Sequence, residues 1–519
     1  MSTGQQQQQQ STMDEFKSAV RQGWFWRMML ITTVASLNSQ FQCYHVPVVN
    51  GMTETLPIWL IDNLGYGVDT TYTWLWPIIT SAFMAGYLIG NWFTGVADRF
   101  GRRATSLAMS VLLIFGGILM FASKWVESFV MLLIGRLNAG FVCGLGSSVT
   151  CLLLVEGSPT RWRGFFTAIS AFYVALGDLL AAILGSPLVL GNDDGWPWAM
   201  LLPTLPSIFA IPILCWSHES PRYLYFDRDN PLATLNAIVF YQGDENVEDT
   251  LDDLRDEDDH QKDNVVTWSS VWTNLSTRRA AIVVTVSAMS HAATGSFILI
   301  TYSTSIFERF GLDLNTASIW TIVVIMLEVI ATVPSSYCVE FYGRRPTILL
   351  SMYACILPTL VLVVVDISSA QPISHSNLAI VIVIACVTVH MMAYVALDVA
   401  ATAVTLELVP QHVRSKTLAI GRTMASLTAA VSQYAHPIIA SYAPVSISLF
   451  AMSLISICIL VFFHKYLPET ANRTFQEIFG EYDALLSKRQ KKERVEKQDR
   501  KKGRMKNERL GSDTSIQIW

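Results

Sequence analysis

Six side chains able to titrate stand where a chain seldom places them. His45, Asp178, His291, Glu328, His390 and Asp398 each fall inside a long apolar run. A carboxylate at the centre of a membrane-crossing helix costs roughly 2.5–3.5 kcal/mol on insertion scales. Three such acids need either a partner or a role. Two chemistries suit them: binding a polar solute, or carrying protons with histidine switching near neutral pH. The alternative is that each is satisfied inside the protein, for instance Glu328 with His291 or with a backbone group. Asn38, Gln40 and Gln42 lie on one run that is expected to face the same interior. Gln40 could equally hydrogen-bond a neighbouring helix.

A second charged set occupies short connections. Residues Thr94 to Arg103 read TGVADRFGRR and are expected to form a loop between two helices. Gly101 permits a tight turn there. Asp98 can accept from the start of the following helix or pair with an arginine. A weaker copy, EFYGRR, begins at Glu340, and Asp98 to Glu340 is 242 residues. Glu156, Pro159 and Arg163 return as Glu407, Pro410 and Arg414, and Glu156 to Glu407 is 251 residues. Two unrelated motifs recurring in one order at nearly one period mean that the halves are built alike. Parallel repeats in an apolar chain are a transporter architecture. The arginines are expected to pair with Glu156, Glu219 or Glu407. Single surface pairs contribute only about 0–1 kcal/mol. A network of them that breaks as one side opens can still bias a two-state equilibrium.

These residues must be carried by membrane helices. The chain is 52% hydrophobic and 15% charged, well below the roughly 25% charge of soluble domains. A spanning helix needs about 20 mostly apolar residues. Twelve such runs are centred near Ser36, Phe83, Ile114, Gly144, Ala175, Phe209, Ala293, Ile325, Ala354, Ala393, Ala429 and Ile455. The runs at 26–48 and 281–306 are the most polar. Connections 49–71, 187–196 and 367–376 hold no Lys or Arg, and only Lys124 and Arg309 occupy the other connections on that side. Arg99, Arg102, Arg103, Arg161, Arg163, Arg344, Arg345, Arg414 and Lys416 occupy the opposite connections. The positive-inside rule then puts both termini in the cytoplasm. The acidic stretch Asp244 to Asp259 lies in a polar connection, 217–278, expected to form short amphipathic helices and to let the halves rock. Most cysteines fall in apolar runs, which argues against a disulfide framework. The Gln5–Gln10 run reads as disordered, and no cleaved signal peptide is apparent.

Other chemistries find no footing. No Cys/His metal spacing, nucleophile elbow or phosphate-binding loop occurs, so an enzyme, a metal, a cofactor and a nucleic-acid partner are not expected. The basic stretch Lys488 to Arg509 is either a solvated tail or a contact for anionic lipid. Glu481, Leu485 and Leu486 match an acidic dileucine sorting pattern, which is short and often accidental. The sequons at Asn274 and Asn472 fall on the cytoplasmic side and should remain unmodified.

Several stretches together resemble the sugar porter group of the major facilitator superfamily, particularly animal facilitative glucose transporters. They are DRFGRR (98–103), GR (135–136), EGSPTRWRG (156–164), GNDDGWP (191–197), HESPRYL (218–224), YSTSIFERFGL (302–312), VEFYGRRP (339–346), ELVPQHVR (407–414) and LPETANRTFQEI (467–478). HESPR and LPET also resemble organic ion transporters. The resemblance implies an all-α multi-pass membrane protein of the major facilitator fold, with twelve transmembrane helices in two pseudo-symmetric six-helix bundles. It also implies alternating access to a central site. It assigns a cytoplasmic gate to Asp98, Arg102, Arg103, Glu156, Arg163, Glu219, Arg222, Glu340, Arg344, Arg345, Glu407 and Arg414. Thr94, His218 and Ser415 replace the family's usual glycine, proline and glycine at their places.

The resemblance fails at the sugar site. The family's glutamine pair and asparagine of the seventh helix read His291, Ala292 and Phe297 here. The fifth-helix glutamine is Ala171, the eighth-helix asparagine is Glu328, and the first-helix Asn or Asp is His45. The tenth-helix stretch aligns with Asp398–Ala403, with Thr402 at the tryptophan. One lost buried hydrogen bond costs about 1–3 kcal/mol, so losing most of them argues against ordinary glucose transport. The expected substrate contacts are His45, Gln42, His291, Thr294, Glu328, Asp398 and Thr402. The expected segments are a disordered cytoplasmic 1–24, a bundle at 25–216, a helical linker at 217–278, a bundle at 279–466 and a cytoplasmic tail at 467–519. The function expected is alternating-access transport of a hexose-like or other small polar solute, in the plasma membrane rather than an endomembrane. The alternatives are a non-transporting solute sensor, or a proton-coupled or organic-ion transporter.

Overall fold

The computed structural model describes residues 17–262, 275–369, 377–408, 411–442, 444 and 446–470. The glutamine run, both sequons, the dileucine pattern with Glu481, Leu485 and Leu486, and the basic tail lie outside them. The fold is twelve membrane helices in the major facilitator arrangement. α1 is Gly23–Leu37, α2 Trp76–Trp92, α3 Arg102–Ala122, α4 Phe129–Gly157, α5 Arg163–Gly185 and α6 Trp196–Trp216. α7 is interrupted, running Leu275–Ala293 and then Ser296–Arg309. α8 is Leu314–Tyr342, α9 Arg344–Ser369, α10 Asn377–Glu407, α11 Gln411–Tyr442 and α12 Ser446–Tyr466. Each of the twelve sequence centres falls within one of these elements or, for Ala293, at its internal break.

Among the described residues, ten spans are long and apolar enough to cross a membrane. α1 and α11 do not qualify, for different reasons. The regular helix of α1 is only 15 residues and continues as the 3-10 turns Gln40–His45 and Pro47–Met52. α11 is 32 residues long but carries Arg422, Gln433 and His436. α7 breaks at Gly295, whose φ is 86°. The two runs that looked most polar in the sequence, at 26–48 and 281–306, both lose regular helix, as α6 does in the 3-10 turn Leu202–Thr204. Backbone freed at membrane depth is tolerated where it is buried in protein or lines an interior.

Small residues set the closest packing. A Cβ on Gly140 or Gly144 of α4 would strike the carbonyl oxygens of Phe83 or Tyr87 on α2, and one on Gly86 would strike that of Leu137. These two helices therefore meet backbone to backbone. Between α6 and α7 the polar connection folds into short helices at Pro221–Phe226, Pro231–Gln242 and Val247–Lys262.

The 94–103 stretch is more ordered than a plain loop. Val96–Phe100 makes its own helical turn, and Gly101 breaks it at φ 102° before α3 begins. Gly343 does the same at φ 95° before α9. At both positions an L side chain would be strained, and its Cβ would press on a carboxylate, Glu219 or Glu469. Gly101→Ala should therefore destabilise the protein by about 1–3 kcal/mol. Gly164→Ala, where a Cβ meets nothing within 4 Å, should be neutral or stabilising by up to about 1 kcal/mol. Thermal unfolding midpoints of the two variants in detergent check the contrast.

Candidate functional site

At the charged end, the arginines are bound within their own half. Arg102 at the start of α3 reaches Glu156 on α4 at 3.0 Å and Asp98 at 3.3 Å. Its ring neighbour is Tyr223, 5.4 Å away. Ser220 donates to the same Glu156 carboxylate. Glu219, one residue earlier, accepts from the Arg103 backbone N–H at 2.8 Å and so caps α3. Of the two roles expected for Asp98, helix cap or partner of an arginine, it takes the second: it is exposed and paired with Arg102. Arg103 turns its side chain to the last carbonyls of α6, Leu214 and Cys215, each at 2.6 Å.

The second half repeats this plan with small differences of atom. Arg344 binds Glu407 at 2.9 Å, and Thr470 donates to Glu407 at 2.6 Å. Glu469 accepts from the N–H groups of Arg344 at 3.0 Å and Arg345 at 3.1 Å. Arg345 donates to the His464 carbonyl near the end of α12 at 3.1 Å. Arginine on terminal carbonyls and carboxylate on initial N–H groups both complement the helix dipole. Arg222 lies over Phe226 and within electrostatic reach of Glu156. Arg163 is not brought into the clamp: its Nε is buried and meets no acceptor. The side chains of Glu340 and Arg414 lie outside the described residues.

At the opposite end the halves touch through neutral groups. Asn50, after α1, donates to the Ile300 carbonyl at 2.9 Å and to Ser303 Oγ at 2.7 Å on α7, and accepts from the Thr304 N–H at 3.0 Å. Tyr302 on α7 donates to Thr80 on α2 at 2.7 Å. An apolar cluster including Val48, Phe83, Ile298 and Phe307 surrounds these bonds. The two cations of this end are each neutralised, Lys124 by Asp193 at 3.3 Å and Arg309 by Asp366 at 3.0 Å. Nearer the middle, Arg422 on α11 donates to Ser148 on α4 at 2.7 Å.

Between the halves an acidic and aromatic cluster gathers from four helices. Asp178 on α5 and Asp398 on α10 act electrostatically on Glu328 of α8. His291 Nδ1 on α7 approaches Asp398 at 3.7 Å, so His291 partners Asp398 rather than Glu328. Glu328 is 6% exposed and its Oε2 has no hydrogen-bond partner. The His291, Phe297 and Tyr394 rings stand 6.1–6.4 Å apart, centroid to centroid. Thr402 is exposed one turn beyond Asp398. Cys43 lies within reach of Asp178 and Asp398.

The other expected contacts are placed elsewhere. His45 is fully buried against Tyr44 and Phe83, and both its ring nitrogens lack partners. Gln42 donates to the Leu37 and Pro203 carbonyls, and Asn38 to Ser106 and Ser110, so both face neighbouring helices rather than the interior. Thr294 bonds the His291 carbonyl and Ser296. His390 is satisfied by Ser296, Thr359 and the Cys355 carbonyl.

Sequence reasoning missed Ser220, Glu469 and Thr470 in the clamps, and Tyr394 in the cluster. Glu219 to Glu469 is 250 residues, nearly the period of Glu156 to Glu407, so this repeat was there to be read. Tyr394 stands one turn before Asp398 on the same face of α10.

The profile of the family described as "Sugar (and other) transporter" matches residues 24–482. The chain belongs to that family. It is 27% identical over 462 residues to the horse (Equus caballus) solute carrier family 2, facilitated glucose transporter member 5, covering 87% of this chain and 91% of that protein. It is 29% identical over 351 residues to the chicken (Gallus gallus) member 1, covering 66% and 71%. Its fold is similar to the inward-open conformation of the xylose transporter XylE from E. coli, with TM-score 0.71, 18% identity, and coverage of 88% and 99%.

Asn50→Ala removes all three bonds that this residue makes across the halves. It should favour opening at that end by about 1–3 kcal/mol. A cysteine introduced at buried Val49, in a background lacking exposed Cys215 and Cys458, should then react faster with a thiol reagent. An unchanged rate would mean that the Asn50 contacts do not hold the halves together.

Proposed function

We propose that this protein is a secondary transporter that moves a small polar solute by alternating access, with a central site departing from that of ordinary glucose transporters. The observation that carries this reading is the pairing of two like-built charged clamps with one cluster shared by both halves. Each clamp ties together the helices of its own half, which suits rigid bodies rocking about a midplane site. The rigid bodies are taken as 25–216 and 279–466, with the helices of 217–278 as the connection. Asp98, Arg102, Arg103, Glu156, Glu219, Arg222, Arg344, Arg345 and Glu407 work as the gate end, with Glu340, Arg163 and Arg414 held for states in which the two ends meet.

The substrate-facing residues are His291, Glu328, Asp398 and Thr402, while Thr294 positions His291. His45 and Gln42 act as packing beneath the site. The distribution of Lys and Arg favours cytoplasmic placement of the gate end and of both termini, in the plasma membrane. With the halves bonded at the Asn50 end, the described state suits access from the cytoplasm. The printed identities of the relatives, as facilitated glucose transporters, support a solute in the size range of a hexose.

Purified protein in lipid vesicles tests the reading. Flux of at least one solute from a panel of D-glucose, D-fructose, a polyol and small organic ions should exceed that of empty vesicles. Arg344→Ala together with Arg102→Ala should reduce it by about tenfold or more, since removing one partner strands a buried carboxylate at about 3–5 kcal/mol. A folded protein that moves none of these solutes, with or without a pH gradient, would overturn the proposal.

A further inference from the structure

The central cluster has a chemistry of its own. Three of its polar groups are carboxyls. Asp178 comes from one half; Glu328, His291 and Asp398 come from the other. The charged groups acting on Glu328 are both carboxylates. Asp178, Glu328 and Asp398 also all act on Tyr394. A neutral polyol needs donors and acceptors interleaved around it, and a site rich in carboxylates provides few donors. Glu328 Oε2, buried and without a partner, is a vacancy that only a donor or a positive charge fills. Beside it Phe297 and Tyr394 pack edge to face with His291 against both, and an aromatic face attracts a cation within about 6 Å.

We infer that this site takes a small organic cation, an amine or quaternary ammonium with an apolar body, held between the carboxylates of the two halves and the Phe297–Tyr394 pair. This rests on the transporter reading and sharpens it. The positive centre sits among Asp178, Glu328 and Asp398. The apolar substituents lie on the rings. A cation bound there bridges Asp178 to the acids of the opposite half and draws α5 towards α8 and α10. Substrate charge thereby becomes the device that couples occupancy to closure, where a neutral sugar would rely on hydrogen bonds alone.

The probe is choline, set against the neutral alcohol in which carbon replaces its nitrogen. The two have nearly the same shape and differ in charge. Thermal stabilisation of the purified full-length protein reads binding, since a ligand that prefers the folded form raises its midpoint. Choline or tetraethylammonium should stabilise and the neutral alcohol should not. Glu328→Gln and Asp398→Asn, which keep the shape and remove the charge, should each weaken the choline effect by about tenfold or more. The unliganded midpoints of both variants establish that they fold, and Asp178→Asn serves in place of either that does not. Equal stabilisation by choline and its neutral counterpart would overturn the inference. So would a choline effect intact in every folded neutral variant, or stabilisation by D-glucose and by neither cation. That last result would leave the transporter reading standing, whereas absence of flux for every solute would remove it.

Discussion

The fold depends on an arginine buried against a glutamate, made twice. Arg102 with Glu156 and Arg344 with Glu407 lie where desolvation alone would make either charge expensive. Removing one partner from such a pair costs far more than the pair contributes. The surroundings show how the cost is met. Ser220 and Thr470 saturate the glutamates, Glu219 and Glu469 cap the following helices, and Arg103 and Arg345 take the final carbonyls of α6 and α12. Three membrane-helix ends per half are thereby locked into one unit. A glycine at φ near 100° ahead of each clamp lets the carboxylate approach the backbone.

The same physics is left unfinished at the centre. Glu328 is as deeply buried as Glu156, yet its Oε2 has no hydrogen-bond partner and the groups acting on it are also carboxyls. The buried carboxylate of Glu156 is satisfied by Arg102 and Ser220, whereas that of Glu328, between the halves, is left open. The contacts that join the halves elsewhere are neutral bonds from Asn50, Tyr302 and Thr80, with Arg422 on two serines. The bonds of Asn50, Tyr302 and Thr80 can be exchanged without stranding a charge. That suits an interface required to come apart and re-form.

Much of this was legible in the sequence, for particular reasons. Arginine clusters between apolar runs are rare enough that their recurrence exposed the repeat, and with it the fold. The residues at 291 and 328 could be matched to family positions because the surrounding motifs fix the register. The orientation of polar residues on α1 was not legible. Asn38 and Gln42 stand on a segment that leaves regular helix after Leu37, so helical periodicity no longer says which way they face. The pairing of His291 with Asp398, rather than with Glu328, depends on how α7 breaks at Gly295, which composition does not reveal. His45 matched a family position by spacing alone, and its packing against Phe83 follows from the same 3-10 turn.

The central claim is that each half is a rigid body held by its own clamp, and that the halves move against each other. Spin labels at exposed Arg99 and Phe341 report the distance between the two charged ends, while labels at Arg99 and Trp26, and at Phe341 and Tyr466, report distances within one half. Pulsed electron resonance on the protein in lipid should give a narrow single distance for each pair within a half. It should give a broad or multiple distribution across the halves. Pairs within a half that spread as widely as the pair across would contradict the account.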